Sequence, residues 1–257
     1  MARRFPRPKQ VSRQQASLLT KEGAIDFLLK RSSARRSLTI SVNEHAQINV
    51  AAPLGMAQDH IYRFIEQKLS WILAKVDEAK KNKEYVQKRQ FEEGHSFMFL
   101  GRKYPLVVTQ ADNKRSRIIF ANDQWQVQLP RTDAPKDRPN KIKKLLVKWY
   151  RQQAEEMLAG RVFYYARIIG VEPKKLAVKT QKRIWGNCDY HTQTINLNWQ
   201  IILSPLEVID YVVVHELCHL LVPNHSKRFW QKVAKVFPNY HKQRKWLKDN
   251  WLDMVLP

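Results

Sequence analysis

The stretch HELCHLLVPNH, residues 215–225, constrains the fold of this chain more than any other feature. It lies in a long apolar run that the sequence predicts as a buried helix. The preceding residues Ser204, Pro205 and Glu207 match a helix start with serine at the N-cap, proline in the first turn and glutamate at N3. We expect the helix to start at Pro205 and to end before Pro223, because proline cannot continue a helix.

The polar residues of this helix have the spacing of a metal site. His215 and His219 are four residues apart, so their side chains project from one face, one turn apart. Two imidazole nitrogens at that separation can bind one zinc ion at about 2.0–2.1 Å. Glu216 lies about 100° around the helix and could take a proton from a zinc-activated water. This H-E-x-x-H pattern is typical of zinc metalloproteases, with Glu216 as general base; the simpler alternative is a pair of ordinary core or surface histidines.

A catalytic zinc needs a third protein ligand. No glutamate follows Glu216 in the sequence, which excludes a glutamate ligand on a later helix. The downstream candidates are His225, His241, Asp249 and Asp253. We predict His225, which holds the position of the last histidine in H-E-x-x-H-x-x-G-x-x-H, although Val222 replaces the glycine. Pro223 and Asn224 would turn the chain, since asparagine tolerates left-handed backbone. The alternative for His225 is a place near the N-cap of the next helix.

The charge of the chain bears on its partners. It has 46 lysines and arginines against 23 acidic residues, a formal net charge of +23 that is spread over both halves. This excess favours polyanions such as nucleic acid, although a generally basic surface can equally serve solubility. The sequence contains no helix-turn-helix, zinc-finger or RNP signature to name a mode of binding.

The sequence gives no sign of a membrane or secreted protein. It has no run of about 18 apolar residues, and its basic start lacks the apolar segment of a secretory signal. The two cysteines, Cys188 and Cys218, are too few for a disulfide framework and fit a reducing compartment. We therefore expect a cytoplasmic location and no membrane partner, while the oligomeric state stays open.

Hydrophobic periodicity predicts an α+β protein in three parts. They are a basic, partly flexible segment (1–30), a β-rich part with one long helix (31–135) and a mainly helical catalytic part (136–257). Strand alternation predicts a hairpin over 38–50 and another that turns at 121–124, and helical periodicity predicts one helix from about 57 to 87. The proline-rich stretch 130–140 is the predicted linker. No internal repeat is evident.

Three segments around the motif resemble one known family. They are RIWGNCD (183–189), INLNWQIILSPLEVIDYVVVHELCHL (195–220) and NHSKRFW (224–230). They look like the YgjP-like metallopeptidases, small bacterial zincins related to the SprT-like and Spartan proteases, and the resemblance extends over most of the chain. It implies a zincin-type catalytic domain with an HExxH active-site helix, a protein or peptide substrate, and Zn²⁺ held by His215, His219 and His225. Glu216 would be the general base. WGNCD stands where a W-G-S-C-S-like string is expected.

Other residues near the motif are weaker candidates. The strand predicted at TINLNW would lie beside the active-site helix, where such a strand can pair with an extended substrate. Core packing is the simpler reading of Trp185 and Cys188, and a buried thiol is the simpler reading of Cys218. Candidates for stabilising the oxyanion are Arg183, Tyr190, His191, Tyr240 and His241. Candidates for orienting the histidines are Asp189 and Asp210.

The net charge supports a second function from another class. The chain could be a basic nucleic-acid-associated protein whose metal site is structural or weakly active. A combination of the two is a peptidase that acts on nucleic-acid-bound proteins, which rests on analogy with Spartan-like proteases alone.

Overall fold

A computed structural model of the chain describes residues 10–88, 90–112, 115–181 and 184–256. It divides into two compact units, Met1–Lys88 and Arg89–Pro257. The linker predicted at 130–140 is therefore not where the units separate. That stretch contains a short 3-10 helix, Pro135–Asp137, which leads directly into a long helix of the second unit.

The first unit contains a four-stranded sheet. Its strands are β1 (Val11–Thr20), β2 (Gly23–Ser32), β3 (Thr39–Val42) and β4 (Ile48–Pro53), in the order β1-β2-β4-β3. Each hairpin is antiparallel, and β2 runs parallel to β4. The hairpin predicted over 38–50 is confirmed as β3 and β4.

Strands β1 and β2 correct the expectation of a flexible segment over residues 1–30 from residue 10 onward, and residues 1–9 lie outside the described residues. The sequence of β1 is polar because β1 is a largely exposed edge strand. Its ladder of backbone hydrogen bonds to β2, not apolar alternation, holds it in the sheet.

Two helices follow this sheet where the sequence predicts one. They are α1 (Gln58–Gln67) and α2 (Leu69–Lys88), and they are separated by Lys68, whose φ of −103° and ψ of 9° leave the helical region. Both contribute isoleucines to a core shared with the sheet. That core contains Ile25, Phe27, Leu29, Ile48, Val50, Ala52, Ile61, Ile65 and Ile72.

The second unit begins with a sheet of the same pattern. Its strands are β5 (Ser96–Phe99), β6 (Arg102–Ala111), β7 (Arg117–Ala121) and β8 (Gln124–Pro130), in the order β5-β6-β8-β7. Two antiparallel hairpins again join through a parallel pair, here β6 and β8. The two sheets are thus a structural repeat that the sequence does not reveal, since different residues fill equivalent strands.

A long helix, α3 (Arg138–Ile169), packs against the second sheet. The contact is a cluster of aromatic rings that includes Phe99, Trp125, Trp149 and Tyr150. The polar atoms of this cluster are satisfied, because the Tyr150 hydroxyl donates to a backbone carbonyl at 2.6 Å and the Trp125 indole donates to another at 3.2 Å. Gly170, in left-handed backbone at φ 75°, ends the helix.

The remaining elements carry the sequence motif. A three-stranded sheet has the order β10-β11-β9, with β9 (Lys175–Lys179) parallel to β11 (Thr194–Asn198) and β10 (Gly186–Asp189) antiparallel to it. A 3-10 helix, Trp199–Leu203, leads into α4 (Leu206–Cys218), and α5 (Lys227–Val236) and α6 (Tyr240–Met254) complete the fold. Along the part of the chain that is described, no helix is long and apolar enough to cross a membrane.

The start of α4 differs from the predicted capping box. Ser204 is fully buried, and its hydroxyl donates to the carbonyl of Ile201 at 2.7 Å, so that it closes the preceding 3-10 helix. Pro205 takes the N-cap position instead. The Ser204 hydroxyl bonds to the 3-10 helix because that helix packs in the core. The local capping-box pattern does not reveal this packing.

A turn of the second sheet fixes this junction. The N–H groups of Leu100 and Gly101, between β5 and β6, donate to the carbonyls of Ile202 and Leu203 at 3.0 and 2.9 Å. Gly101 has a φ of +82°, and a Cβ atom there would lie 2.5 Å from Cγ of Pro205. Only glycine allows both this backbone conformation and this close approach.

Candidate metal centre

Helix α4 is anchored to α3 before the motif begins. The guanidinium of Arg161 on α3 binds both carboxylate oxygens of Asp210 on α4, and the Tyr165 hydroxyl donates to the same carboxylate at 3.1 Å. Asp210 is buried, so the bidentate pair satisfies a charge that would otherwise be costly to bury. This pair fixes the position of α4 five residues before His215.

The structure brings the three predicted histidines together. His215 and His219 project from the last turn of α4, and the chain returns His225 from the following turn. One ligand nitrogen from each residue lies within 4.8 Å of the others. Nε2 of His225 is 2.9 Å from Nε2 of His215. This cluster is the one group of three potential ligands found among the described residues.

The turn before His225 forms without left-handed backbone. Neither Val222 nor Asn224 has a positive φ, so the glycine of the longer motif is not required here. Asn224 acts through its side chain, whose oxygen accepts a hydrogen bond from the N–H of Ser226 at 3.2 Å. Val222 is buried, and its carbonyl lies 3.1 Å from Nδ1 of His219.

That contact determines the tautomer of His219. A carbonyl oxygen only accepts hydrogen bonds, so Nδ1 must carry the proton and Nε2 must present a lone pair. The backbone carbonyl of Val222 therefore orients His219, a role that the sequence reasoning assigned to an aspartate. The Nδ1 atom of His215 is buried and has no hydrogen-bond partner in the described part of the structure.

Two aromatic side chains of α5 surround the imidazoles. The ring of Phe229, which is fully buried, has its centroid 4.9 Å from His215, 4.4 Å from His219 and 4.9 Å from His225. Trp230 contacts two of the imidazoles, with its ring 5.7 Å from His215 and 5.6 Å from His225. Both residues belong to the segment NHSKRFW, whose family resemblance gave no sign of their contact with the histidines.

Glu216 lies against the backbone of the edge strand β10. Its side chain is 5% exposed, and a Cβ atom added to Gly186 would lie only 2.7 Å from its Cγ and 2.8 Å from its Oε1. A residue with a side chain at position 186 would therefore displace the carboxyl group. The glycine of the WGNCD segment is the signal that could have revealed this contact.

Burial determines the protonation of these groups. It raises the pKa of Glu216 to about 8. Burial, followed by the charges of His219, His225 and Arg244, lowers the pKa of His215 to about 3. Burial also lowers the pKa of His219. The imidazoles of His215 and His219 are therefore neutral near pH 7, the form in which histidine binds a metal.

These residues fit a divalent metal ion. Three nitrogens bound tetrahedrally to one zinc at about 2.0–2.1 Å lie about 3.3 Å apart, a spacing that small ring movements would produce here. The Nε2 atoms of His215 and His225, 2.9 Å apart, need a proton or a cation between them, because two lone pairs would repel each other. The histidine set would leave a fourth position of the metal for water.

The other predicted residues lie away from this cluster or have different roles. Asp249 pairs with Lys245, and Asp253 pairs with Lys103, so neither joins the histidines. Asp189 accepts hydrogen bonds from the N–H groups of His191 and Thr192, and Asp210 is bound to Arg161. Neither aspartate contacts a ligand histidine in these bonds.

Some of the aromatic and cysteine candidates pack in the core, and others are exposed to solvent. Trp185 and Cys188 pack against the core, as expected. Burial raises the pKa of the Cys188 and Cys218 thiols to about 11. Tyr240 is buried and stacks on Trp230 at 4.9 Å, whereas Tyr190 is largely exposed. His191 and His241 are exposed, and Arg183 lies outside the described residues.

Comparison with protein families identifies the chain. A model of the YgjP-like metallopeptidase domain matches residues 36–250, which include all three histidines and Glu216. This chain belongs to the YgjP-like metallopeptidase family. The α+β architecture with several sheets and six helices agrees with a metallopeptidase domain.

Comparisons with individual proteins add less. No curated protein matches the sequence. Two solved structures are similar to a part of the chain, both of them metallopeptidase zymogens. Abylysin of Pyrococcus abyssi has 23% identity and a TM-score of 0.34, covering 38% of this chain and 99% of its own. Jannalysin of Methanocaldococcus jannaschii has 18% identity and a TM-score of 0.34, covering 37% and 96%.

Proposed function

We propose that this member of the YgjP-like family is a zinc-dependent peptidase with a zincin-type catalytic domain. His215, His219 and His225 hold the zinc ion, and Glu216 is the general base. The observation that carries the proposal is the meeting of three imidazoles beside a buried carboxyl group on the same helix. The substrate class is a protein or peptide.

Glu216 would move the proton during hydrolysis. When bound, zinc supplies a Lewis acid that lowers the pKa of a coordinated water and polarises the scissile carbonyl. Burial alone favours the protonated form of Glu216, but a cation held by the histidines would favour its charged form. That carboxylate accepts the proton of the attacking water and then gives it to the leaving amine. The backbone of Gly186 restricts the carboxyl group to one side of its pocket, which favours a single orientation for both transfers.

Strand β10 is our candidate for aligning the substrate, because the TINLNW strand expected to do so is β11, which is paired on both sides. In the sheet order β10-β11-β9 it is an edge strand, and it lies against Glu216. An extended peptide could therefore add to β10 through backbone hydrogen bonds, with its scissile bond beside the carboxyl group.

The variant Glu216→Gln tests the proposed base. We expect it to bind zinc like the wild type, because the histidines are unchanged, and to lose about 10²–10⁴-fold in kcat. Metal analysis and digestion of an unbiased peptide library would measure the two properties on the same preparations. Glu155→Gln, an exposed change on α3, is the matched control and should keep both. Native activity in Glu216→Gln would rule out this base.

The cysteines support a reducing compartment such as the cytoplasm. Both are free thiols, and Cys218 is buried while Cys188 is partly buried. We propose this location on the thiol chemistry alone.

A basic groove supports nucleic-acid binding as a second function. An open cavity of about 680 Å³ follows α3 and is lined by Lys143, Lys144, Lys148 and Arg151, with Glu155 among the other lining residues. Arg151 is anchored by a hydrogen bond to the Thr180 hydroxyl at 2.6 Å. Cations along one helix can follow the phosphates of a nucleic acid strand.

Salt titrations with generic DNA and RNA would test this second function. We expect affinity to fall steeply with salt, and the double change Lys144→Glu and Lys148→Glu to weaken binding and reduce the salt dependence. Lys80→Glu, an exposed charge reversal in the first unit, is the control. If Lys80→Glu weakened nucleic-acid binding equally, the groove along α3 would not be the binding site.

A further inference from the structure

The side chain of Arg244 lies beside the metal centre without belonging to it. Arg244 is on α6, and its guanidinium lies over the ring of Trp230, 5.3 Å from the ring centroid. The same indole ring packs against the imidazoles of His215 and His225. Arg244 is thus separated from two ligand histidines by one aromatic side chain.

Stacking on other aromatic rings fixes the indole ring of Trp230. The ring of Tyr240, one turn before Arg244 on α6, stacks on Trp230 with an interplanar angle of 12°, and it is also stacked on Tyr211 at 6.4 Å. Two aromatic contacts therefore fix the indole on which the guanidinium rests. An arginine held in this way loses less conformational entropy when it binds a ligand.

The charge of Arg244 is not neutralised within the described structure. Three carboxylates of α4 and α6 have other partners: Asp210 binds Arg161, Asp249 binds Lys245, and Asp253 binds Lys103. The carboxyl group of Glu216 on α4 lies against Gly186. Among the described residues, Arg244 has no carboxylate partner within ion-pair distance. It is exposed to solvent, so a ligand can reach it.

We infer that Arg244 recognises a carboxylate of the peptide substrate close to the scissile bond. A guanidinium presents paired N–H donors whose spacing matches a carboxylate, and its planar face can stay on the indole during binding. The carboxylate could be an aspartate or glutamate side chain, or the C-terminal carboxylate of a short peptide. This inference names a substrate preference and rests on the proposed peptidase function.

Hydrolysis of matched peptides tests the preference and separates the two carboxylate sources. The zinc-loaded enzyme receives peptides with glutamate or glutamine at each position flanking the cleaved bond, each with a free or an amidated C-terminus. We expect about 5-fold higher kcat/KM for one carboxylate peptide, a size suited to an exposed ion pair. Arg244→Gln should abolish the difference, and Arg244→Lys should retain part of it. Lys248→Gln, which removes an exposed positive charge from the same helix, should leave the difference in kcat/KM unchanged.

Binding measurements keep the inference testable when hydrolysis is absent. Zinc-loaded Glu216→Gln and the double variant Glu216→Gln/Arg244→Gln are titrated with the same fluorescein-labelled peptides, followed by anisotropy. Tighter binding of a carboxylate peptide that disappears with Arg244→Gln supports the inference even if wild type cleaves nothing, an outcome that would count against the proposed function alone. Equal affinities for the carboxylate and amide peptides, no detectable binding of either, or a preference that survives Arg244→Gln overturns it.

Discussion

The two units share a sheet pattern but differ in what that pattern supports. Both have two antiparallel hairpins joined by a parallel pair, followed by helix. In the first unit, the turn between β1 and β2 ends at Gly23, and a Cβ atom there would meet nothing within 4 Å. In the second, the turn between β5 and β6 holds the start of α4 through Gly101.

The difference indicates where the chemistry resides. The histidine cluster belongs to the segment that follows α3, which has no counterpart in the first unit. The sheet of the second unit contributes indirectly, because its turn fixes the 3-10 helix and Pro205, the N-cap residue of α4. The same backbone pattern is therefore a structural module in one unit and a support for the candidate site in the other.

Removing a ligand histidine should have the largest effect. We expect His219→Ala to lose bound zinc and hydrolysis together, because only two of the three protein ligands would remain. His60→Ala, which changes an exposed histidine of the first unit, should keep both. Zinc per protein chain and peptide hydrolysis are the measurements. If His60→Ala lost zinc as His219→Ala does, the first unit would share the metal chemistry.

A methyl group beside the base should have the next largest effect. Gly186→Ala would push the Glu216 carboxyl group out of place and lower kcat by about 10- to 100-fold, since small displacements of a catalytic group have effects of this size. Zinc content should not change. Gly160→Ala on α3, where nothing lies within 4 Å, is the control and should retain full activity. A normal kcat in Gly186→Ala would show that the strand does not position the base.

The hairpin turns provide a direct contrast between the units. Gly101→Ala forces alanine into positive φ and into contact with Pro205, so we expect a loss of about 2–4 kcal/mol in the free energy of unfolding. Gly23→Ala carries the backbone strain without the contact, so about 1 kcal/mol is expected. Urea unfolding gives both values. Equal losses would mean that the contact with α4 adds nothing.

The smallest predicted effect is a pH dependence of stability. Because the folded pKa of Glu216 is about 8, the folded metal-free protein keeps a proton that the unfolded chain has released above its ordinary pKa. Stability should therefore fall as pH rises from 7 to 8, by at most about 1.4 kcal/mol. Urea unfolding of chelator-treated wild type and Glu216→Gln should give a steeper decrease for wild type. Parallel curves would mean that Glu216 does not titrate in this range.

The sequence predicts the parts of the site that depend on local spacing. The motif on a buried helix, the second hairpin of each sheet and the meeting of His225 with the other two histidines follow from local periodicity and offsets. In each case the relevant residues lie within about ten positions of one another, so helix or turn geometry alone relates them.

The features that the sequence did not predict depend on contacts between distant residues. Gly186 on β10 lies against Glu216 on α4, and Arg161 on α3 binds Asp210 on α4. Ser204 matches a capping box, yet packing in the core directs its hydroxyl to another carbonyl. Polar β1 becomes a strand because β2 supplies its hydrogen bonds. None of these contacts leaves a periodic signal in the sequence.

Diffraction at the zinc absorption edge would locate the metal ion in the protein. Crystals of the zinc-loaded protein should show one anomalous peak at the site, about 2.0–2.1 Å from Nε2 of His215, His219 and His225, with the Glu216 carboxyl group close by but not bound. The proposed three-histidine zinc site would be wrong if the peak lay elsewhere. It would also be wrong if saturating zinc gave no peak and the imidazoles stayed apart.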